Sequence, residues 1–152
     1  MDVVVVGAGI VGLAVAAACA RSGRSVLTLE SEEDIARGVT SRNSEILHAG
    51  IYYPADSLKA RLCTQGRERT YAWCAERRVA HRKIGKLIVA SQPDEISVLE
   101  ELQGRAEANG VPGMTWLEAD QVRSLEPQVR SVAALLSPET GIVDTHGFAL
   151  SV

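Results

Sequence analysis

The sequence lacks long apolar runs and contains few aromatic side chains. Phe, Trp and Tyr together make up 4% of its 152 residues. No apolar run approaches the ~20 residues that a membrane-spanning helix needs. The "VVVV" run starts at residue 3, without the basic segment and the small-residue cleavage site of a secretory signal. These absences predict a cytoplasmic location.

The sequence also lacks the cysteine and charge patterns of several protein classes. It has three cysteines, and this odd number argues against a disulfide framework. We interpret Cys19, Cys63 and Cys74 as small core residues. His146 follows Asp144 by two residues, but no third ligand is near in sequence, so we predict no metal site. The net charge is -3 with both signs interspersed, which predicts no nucleic-acid partner.

What the sequence does contain is a strand–helix–strand pattern at its start. Residues 2–6, "DVVVV", form a β-branched run that ends at a glycine, as buried parallel strands do. A helix is predicted over "IVGLAVAAACARSG", followed by a second strand, "SVLTLE", that ends at Glu30. A unit of this length and order predicts parallel strands with a right-handed crossover, and therefore an α/β fold.

A glycine motif, "GAGIVG", follows the first strand directly. In this motif Gly7 permits a tight turn, Gly9 lets a pyrophosphate approach the backbone, and Gly12 lets the helix lie close to the strand. The start of the helix would hold the phosphates. Glu30 is placed to accept hydrogen bonds from an adenosine ribose, and its charge disfavours NADP. The spacing leaves NAD and FAD open, as well as a glycine-rich turn in an ordinary α/β protein.

The rest of the sequence predicts further helices and strands, but few strands that belong to a doubly wound sheet. We predict a helix over 58–78 whose apolar face includes Leu58 and Leu62, and a helix over 93–110 that starts near Pro93. Only two strands of a doubly wound sheet are present, so we expect an N-terminal piece of a longer protein or a truncated gene product. Other predicted elements are strands within 80–91, 114–118 and 132–137, a helix within 119–127, and a helix capped by Asp144.

Several segments together resemble the FAD-dependent oxidoreductases of the D-amino-acid-oxidase superfamily. They are "VVVVGAGIVGLAVA", "LTLE", "TSRNSEILHAGIYYPADSLKARLC", "GKLIVA" and "GIVD", and they are most similar to the L-2-hydroxyglutarate dehydrogenase/oxidase branch. The resemblance implies FAD as cofactor and a Rossmann-like FAD-binding domain whose N-terminal part is residues 1–80. It further implies part of a mixed α+β substrate domain at 81–143, and a helix from 144 to 152 that returns to the FAD domain.

The resemblance also implies a role for the polar segment after the second strand. In such flavoproteins this segment runs beneath the FAD, and its hydroxyls and amides meet the pyrophosphate, the ribityl chain and the flavin ring. The matching positions are Thr40, Ser41, Asn43 and Ser44. The alternative is a polar loop in which Ser41 or Asn43 caps a short helix.

His48 would lie near the flavin ring, where it would orient the α-hydroxyl of a substrate or take its proton. The alternatives are a histidine packed without catalytic work and a covalent histidyl–flavin link. Lys59, Arg61 and Lys86 would hold a dicarboxylate, or belong to solvated surfaces. Tyr52 and Tyr53 reach the substrate pocket or pack as aromatics.

The implied activity is hydride transfer from a small 2-hydroxy acid, L-2-hydroxyglutarate in the first place, to flavin. The electrons would pass to oxygen or a quinone, and peripheral membrane contact of the full-length protein is compatible with this. Alternatives are an amine or amino-acid oxidase of the same superfamily and an NAD-dependent dehydrogenase. A further alternative is an inactive truncated chain that binds FAD poorly and aggregates.

Overall fold

The computed structural model describes residues 1–152 and divides them between two units. Unit 1 contains residues 1–46, 73–81 and 143–152, and unit 2 contains residues 47–72 and 82–142. The helices and strands in chain order are β1 (Val3–Val6), α1 (Ile10–Arg21), β2 (Val26–Leu29), β3 (Ile46–Leu47), α2 (Leu58–Arg77), β4 (His81–Arg82), β5 (Lys86–Ala90), α3 (Ile96–Ala108), β6 (Thr115–Glu118), α4 (Ala119–Leu125), β7 (Ala133–Ser137), β8 (Gly141–Val143) and α5 (Thr145–Ser151).

Unit 1 begins with the predicted strand–helix–strand motif. Strands β1 and β2 pair in parallel, with Val3 opposite Val26 and Val6 opposite Leu29. Helix α1 connects them and contacts both. The β-branched and apolar run of β1 favours a strand, whereas the alanine-rich sequence of α1 has the intrinsic preference for a helix. The predicted α/β class with a Rossmann-like beginning is confirmed.

A second cluster of unit 1 joins its later segments. Cys74 and Val79 pack against Val143, with Phe148 of α5 beside them. Helix α5 begins where predicted, because the Asp144 carboxylate accepts a hydrogen bond from the Gly147 N–H at 2.9 Å and so satisfies one free donor of the first turn. The prediction of a buried cysteine is confirmed for Cys74, which is fully buried.

Unit 2 contains an antiparallel sheet in the order β5–β7–β6. Residues of the central strand β7 alternate between two apolar clusters, as the two-residue period of a strand requires. Ala133 and Leu135 pack with Leu99 of α3, and Ala134 packs with Val122 of α4. Each face of this sheet therefore has a helix against it, which agrees with the predicted mixed α+β character of the region.

The predicted apolar face of the helix over 58–78 is wrong at its first two positions. Leu58 and Leu62 are 60% and 55% exposed, and the buried side chains of α2 are Ala60, Arg67 and Cys74. Arg67 is buried because its guanidinium lies 3.5 Å from the Glu139 carboxylate and donates to the Ala49 carbonyl at 3.4 Å. A buried charge is tolerated when it is paired in this way, so the buried face of α2 follows a polar partner rather than the leucines.

The predicted domain boundaries at 80/81 and 143/144 concern function and stay a prediction. The two units are divided at 46/47, 72/73, 81/82 and 142/143. None of the helices combines the length and the apolar character that a membrane crossing requires.

Candidate functional site

The glycine turn between β1 and α1 has the backbone geometry that its sequence predicts. Gly7 has a φ of +100°, a conformation that other residues rarely adopt. A Cβ on Gly12 would overlap the Gly7 carbonyl oxygen, so only glycine allows α1 to start this close to the turn. The Gly7 N–H donates to the Leu29 carbonyl at 2.7 Å, which fixes the turn to the end of β2.

Glu30 lies at the same turn. Its carboxylate accepts hydrogen bonds from the N–H groups of Ala8 at 2.6 Å and of Ser31 at 2.8 Å. The bond from Ala8, followed by those from Glu32 and Ser31, lowers the pKa of Glu30 below its ordinary value. Glu30 is therefore ionised at neutral pH, and its negative charge is fixed at the glycine turn.

Thr40 joins the polar segment to the start of α1. The residue before that helix, Gly9, provides no side-chain cap. The hydroxyl of Thr40 instead accepts a hydrogen bond from the Ile10 N–H at 3.1 Å, and a Cβ on Gly9 would stand 3.3 Å from it. Thr40 thus satisfies a first-turn donor of α1 from thirty positions away in the sequence, a contact that local pattern does not reveal.

A groove of about 710 Å³ brings five of the predicted cofactor residues together within unit 1. They are Gly7, Gly9, Gly12, Glu30 and Thr40. A glycine floor, helical N–H groups and an acid beside them suit the phosphates and ribose of a dinucleotide. The groove therefore fits the adenosine diphosphate half of FAD.

Arg37 also lines this groove, although the sequence analysis did not single it out. Its guanidinium lies 3.7 Å from the Asp34 carboxylate, and both side chains are more than half exposed. Arg37 could have been found from the sequence as a basic residue in the segment between β2 and Thr40. Such a residue adds a positive charge that a phosphate can approach.

The other three predicted residues of the polar segment do not line the groove. The Asn43 amide donates to the Thr40 carbonyl at 2.7 Å and accepts from the Glu45 N–H at 2.7 Å. The Ser41 hydroxyl donates to the Gly38 carbonyl at 3.4 Å, and Ser44 is exposed. Asn43 therefore holds its own turn together.

His48 lies in unit 2 and has an incompletely bonded ring. Its Nδ1 atom is buried and has no hydrogen-bond partner. Burial, followed by the positive charges of Lys86 and Lys59, lowers the pKa of His48 below its ordinary value. The imidazole is therefore neutral at neutral pH and retains an acceptor nitrogen, which is the state that a proton acceptor needs.

The segment after His48 is held by polar side chains of α3. The Asn109 side chain donates to the carbonyls of Gly50 and Tyr53, both at 2.9 Å. Arg105 donates to the Tyr52 carbonyl at 3.2 Å. These bonds fix the backbone of both tyrosines, and they join residues more than fifty positions apart. Sequence reasoning missed Arg105 and Asn109 because neither belongs to a local motif.

The chain matches the FAD dependent oxidoreductase (DAO) family over residues 2–152. It is 51% identical over its whole length to the mitochondrial L-2-hydroxyglutarate dehydrogenase of Arabidopsis thaliana and covers 32% of that protein. It is 42% identical over 99% of its length to the mitochondrial L-2-hydroxyglutarate dehydrogenase of Homo sapiens and covers 33% of it. The chain thus spans about a third of the length of these relatives.

Solved structures share the fold of the chain. The chain superposes on FAD-bound L-α-glycerophosphate oxidase from Mycoplasma pneumoniae with a TM-score of 0.89 and 27% identity, covering 99% of this chain and 41% of that one. Glycine oxidase from Geobacillus kaustophilus has the same fold, with a TM-score of 0.86, 22% identity, and coverage of 99% and 42%. The family match over residues 2–152 establishes that the chain belongs to the FAD dependent oxidoreductase family, and the glycine turn, Glu30 and the groove agree with it.

Proposed function

We propose that the protein containing this chain oxidises a small 2-hydroxy acid, L-2-hydroxyglutarate in the first place, with FAD as cofactor. The relatives that are 51% and 42% identical carry the name of this activity. The family also accounts for the cofactor, so the prediction of FAD is confirmed over the nicotinamide alternative. The substrate and the reaction of the whole protein are the proposed part, because the chain covers about a third of these relatives.

The observation that supports an oxidation of this type is the state of His48. A neutral, half-buried imidazole retains one acceptor nitrogen, and it is therefore suited to accept the proton of a substrate hydroxyl. Bound FAD would accept the hydride that leaves the carbon carrying this hydroxyl. We propose His48 as the catalytic residue, whose part is to orient the hydroxyl and to hold its proton.

We propose that Gly7, Gly9 and Gly12 with the start of α1 hold the pyrophosphate and that Glu30 accepts from the ribose. The shared groove of unit 1 supports these roles. We extend the cofactor site to Thr40, Ser41, Asn43 and Ser44. Thr40 lines the groove, whereas Asn43 bonds to its own turn, so contact with the flavin would require Asn43 to exchange those bonds.

The remaining expectations about the whole protein stay proposals. They are oxygen or a quinone as electron acceptor, peripheral membrane contact, and a division into an FAD-binding part at 1–80, a substrate-binding part at 81–143 and a returning helix at 144–152. A cytoplasmic location is one proposal, and the names of the relatives support a mitochondrial one instead. Fractionation of cells that express the tagged full-length protein distinguishes the two locations.

The test of the proposed function is anaerobic reduction of the FAD-loaded, full-length protein. L-2-Hydroxyglutarate is expected to bleach the visible flavin absorbance, whereas D-amino acids and sarcosine leave it unchanged. Bleaching by a D-amino acid or sarcosine, with no response to the hydroxy acid, would instead establish the amine-oxidase alternative.

For the 152-residue chain on its own, we propose poor FAD binding and a tendency to aggregate. The observation behind this is the exposed apolar face of the unit 1 sheet, where Val4 and Val6 are 54% and 84% exposed. Purification followed by size-exclusion chromatography and an absorbance spectrum tests it. A yellow, stoichiometric, monomeric product would contradict the proposal.

A further inference from the structure

Every lysine of this chain lies over the ring of a tyrosine. The chain has three lysines and three tyrosines, and each lysine lies over the ring of a different tyrosine. Lys59 Nζ is 4.4 Å from the centre of the Tyr53 ring, and Lys86 Nζ is 4.4 Å from that of Tyr52. Lys83 Nζ is 5.1 Å from the centre of the Tyr71 ring. At these distances each aromatic face attracts and orients the ammonium group.

The three lysines differ in their acidic partners. Lys83 pairs with the Glu139 carboxylate at 3.0 Å. No carboxylate lies within 4.0 Å of Lys59 or of Lys86, since neither takes part in any of the salt bridges of the structure. Two ammonium groups that both act on His48 and lack counter-charges repel each other mildly, and a bound anion reduces that repulsion.

The two tyrosines beneath these ammonium groups are consecutive, and their backbone is fixed. Their carbonyls accept hydrogen bonds from Arg105 and Asn109 of α3. Tyr52 and Tyr53 are therefore held by a helix rather than left to a free loop. Because the backbone that carries each tyrosine ring is held in place, the lysine above the ring loses less conformational entropy when it binds a ligand.

We propose that Lys86 and Lys59 determine substrate specificity, Lys86 by binding the carboxylate beside the reacting hydroxyl and Lys59 by binding the far carboxylate of a dicarboxylic 2-hydroxy acid. This inference rests on the proposed function, and it adds the side chains that distinguish a dicarboxylate from a monocarboxylate.

The assignment of the two ends follows from the surroundings of each lysine. Lys86 acts on the His48 imidazole more strongly than Lys59 does, so it is the better placed to bind the carboxylate on the carbon that His48 serves. Lys59 lines a groove of about 550 Å³ in unit 2, and it is the only charged side chain of that groove. The other lining residues are Tyr53, Leu58, Leu62 and Cys63. Such a groove suits an apolar methylene chain that ends in one carboxylate.

The test compares two substrates on the FAD-loaded, full-length enzyme. L-2-Hydroxyglutarate has both carboxylates, and L-2-hydroxypentanoate has the same chain length but lacks the far one. In the Lys59→Gln variant we expect kcat/KM for the dicarboxylate to fall by roughly 10- to 100-fold, the loss of one charge-assisted contact. For the monocarboxylate we expect a change of less than about threefold, because the lost contact was never made.

Two further variants complete the design. Lys86→Gln is expected to lower kcat/KM for both acids, because both carry the carboxylate beside the hydroxyl. Lys83→Gln is the matched control, since Lys83 also lies over a tyrosine but already has Glu139 as partner, and it should change neither value. Lys59→Arg keeps the positive charge and should retain the preference for the dicarboxylate. Flavin absorbance and circular dichroism verify that each variant is folded and loaded.

The outcomes separate this inference from the function on which it rests. If neither acid reduces the flavin of the unaltered enzyme, the proposed function fails and the inference fails with it. If the hydroxy acids reduce the flavin but Lys59→Gln changes kcat/KM for both equally, or for neither, the inference alone is overturned.

Discussion

The two units cover the apolar surface of their sheets to very different extents. In unit 1, the paired residues Val6 and Leu29 are 84% and 48% exposed, although both are apolar. In unit 2, Ala134 and Leu135 at the centre of β7 are fully buried, one toward each face. Apolar burial is the main favourable contribution to folding. The sheet of unit 2 is therefore stabilised largely by its own side chains, and that of unit 1 much less.

The two candidate sites differ in a parallel way. The groove of unit 1 uses backbone N–H groups, glycines that leave room, and one acid held by backbone. The region around His48 uses side chains whose charges act on one another. Unit 1 should therefore be sensitive to added volume at its turn, whereas unit 2 should be sensitive to removed charge and removed core volume.

The largest expected effect on function is that of Gly12→Ala in unit 1. The added methyl group overlaps the Gly7 carbonyl oxygen, so the turn and α1 must separate. We expect a loss of about 1–3 kcal/mol in the free energy of unfolding, together with loss of FAD from the full-length protein. Absorbance of bound flavin and denaturant unfolding measure the two effects.

The matched control for that variant is Gly104→Ala in α3. This glycine is helical and has no atom near the position of an added Cβ. Alanine there should raise the free energy of unfolding by about 0.5–1 kcal/mol. Equal behaviour of the two variants would contradict the geometry assigned to the glycine turn.

Next in size is the effect of His48→Gln. This variant keeps a polar side chain but loses the proton acceptor, so the rate of flavin reduction by substrate should fall by about 10²–10⁴-fold. FAD content should be unchanged. Stopped-flow absorbance measures the rate, and His146→Gln at an exposed position serves as control. If the rate of flavin reduction were the same in the His48→Gln variant, His48 would have no catalytic role and would only pack in the site.

A pair of identical substitutions tests the difference between the sheets directly. Leu135→Ala removes a fully buried side chain in unit 2 and should cost about 2–5 kcal/mol in the free energy of unfolding. Leu29→Ala removes a side chain that is half exposed and should cost less than about 1 kcal/mol. Urea titration of the full-length protein measures both. If Leu29→Ala lowered the free energy of unfolding as much as Leu135→Ala, the Leu29 side chain would be covered in the full-length protein.

The smallest expected effect is a shift in pH dependence. His48 accepts a proton only when neutral, and its pKa lies below the ordinary 6.5 because of burial, Lys86 and Lys59. Activity should therefore persist as the pH falls through 6.5 and decline only at lower pH. Lys86→Gln removes a positive charge, so the pKa of His48 rises and the acidic limb of kcat/KM moves to higher pH. Lys59→Gln should move it less, and an opposite shift would be incompatible with these contacts.

The sequence predicted the local features of the fold and site better than the long-range ones. The β1–α1–β2 motif, the Gly7 turn and the Asp144 cap are each specified by a few adjacent residues, and the structure contains all three. Leu58 and Leu62 were wrongly placed on the buried face of α2, and buried Arg67 was missed because its partner Glu139 is distant in sequence. Thr40 at the start of α1 and Asn109 at the tyrosine carbonyls are equally non-local. A periodic pattern carries no information about such partners.

The repeated passage of the chain between the units has a consequence for its synthesis. Every residue of unit 2 precedes position 143, whereas unit 1 needs the segment 143–152 as well as residues 1–46. On the ribosome, the β1–α1–β2 segment therefore emerges before Val143 and Phe148, whose side chains complete the cluster around Cys74. Within these residues, the strand–helix–strand segment is synthesised long before the segment 143–152 that belongs to the same unit. During that interval its exposed valines can meet the apolar surfaces of other nascent chains.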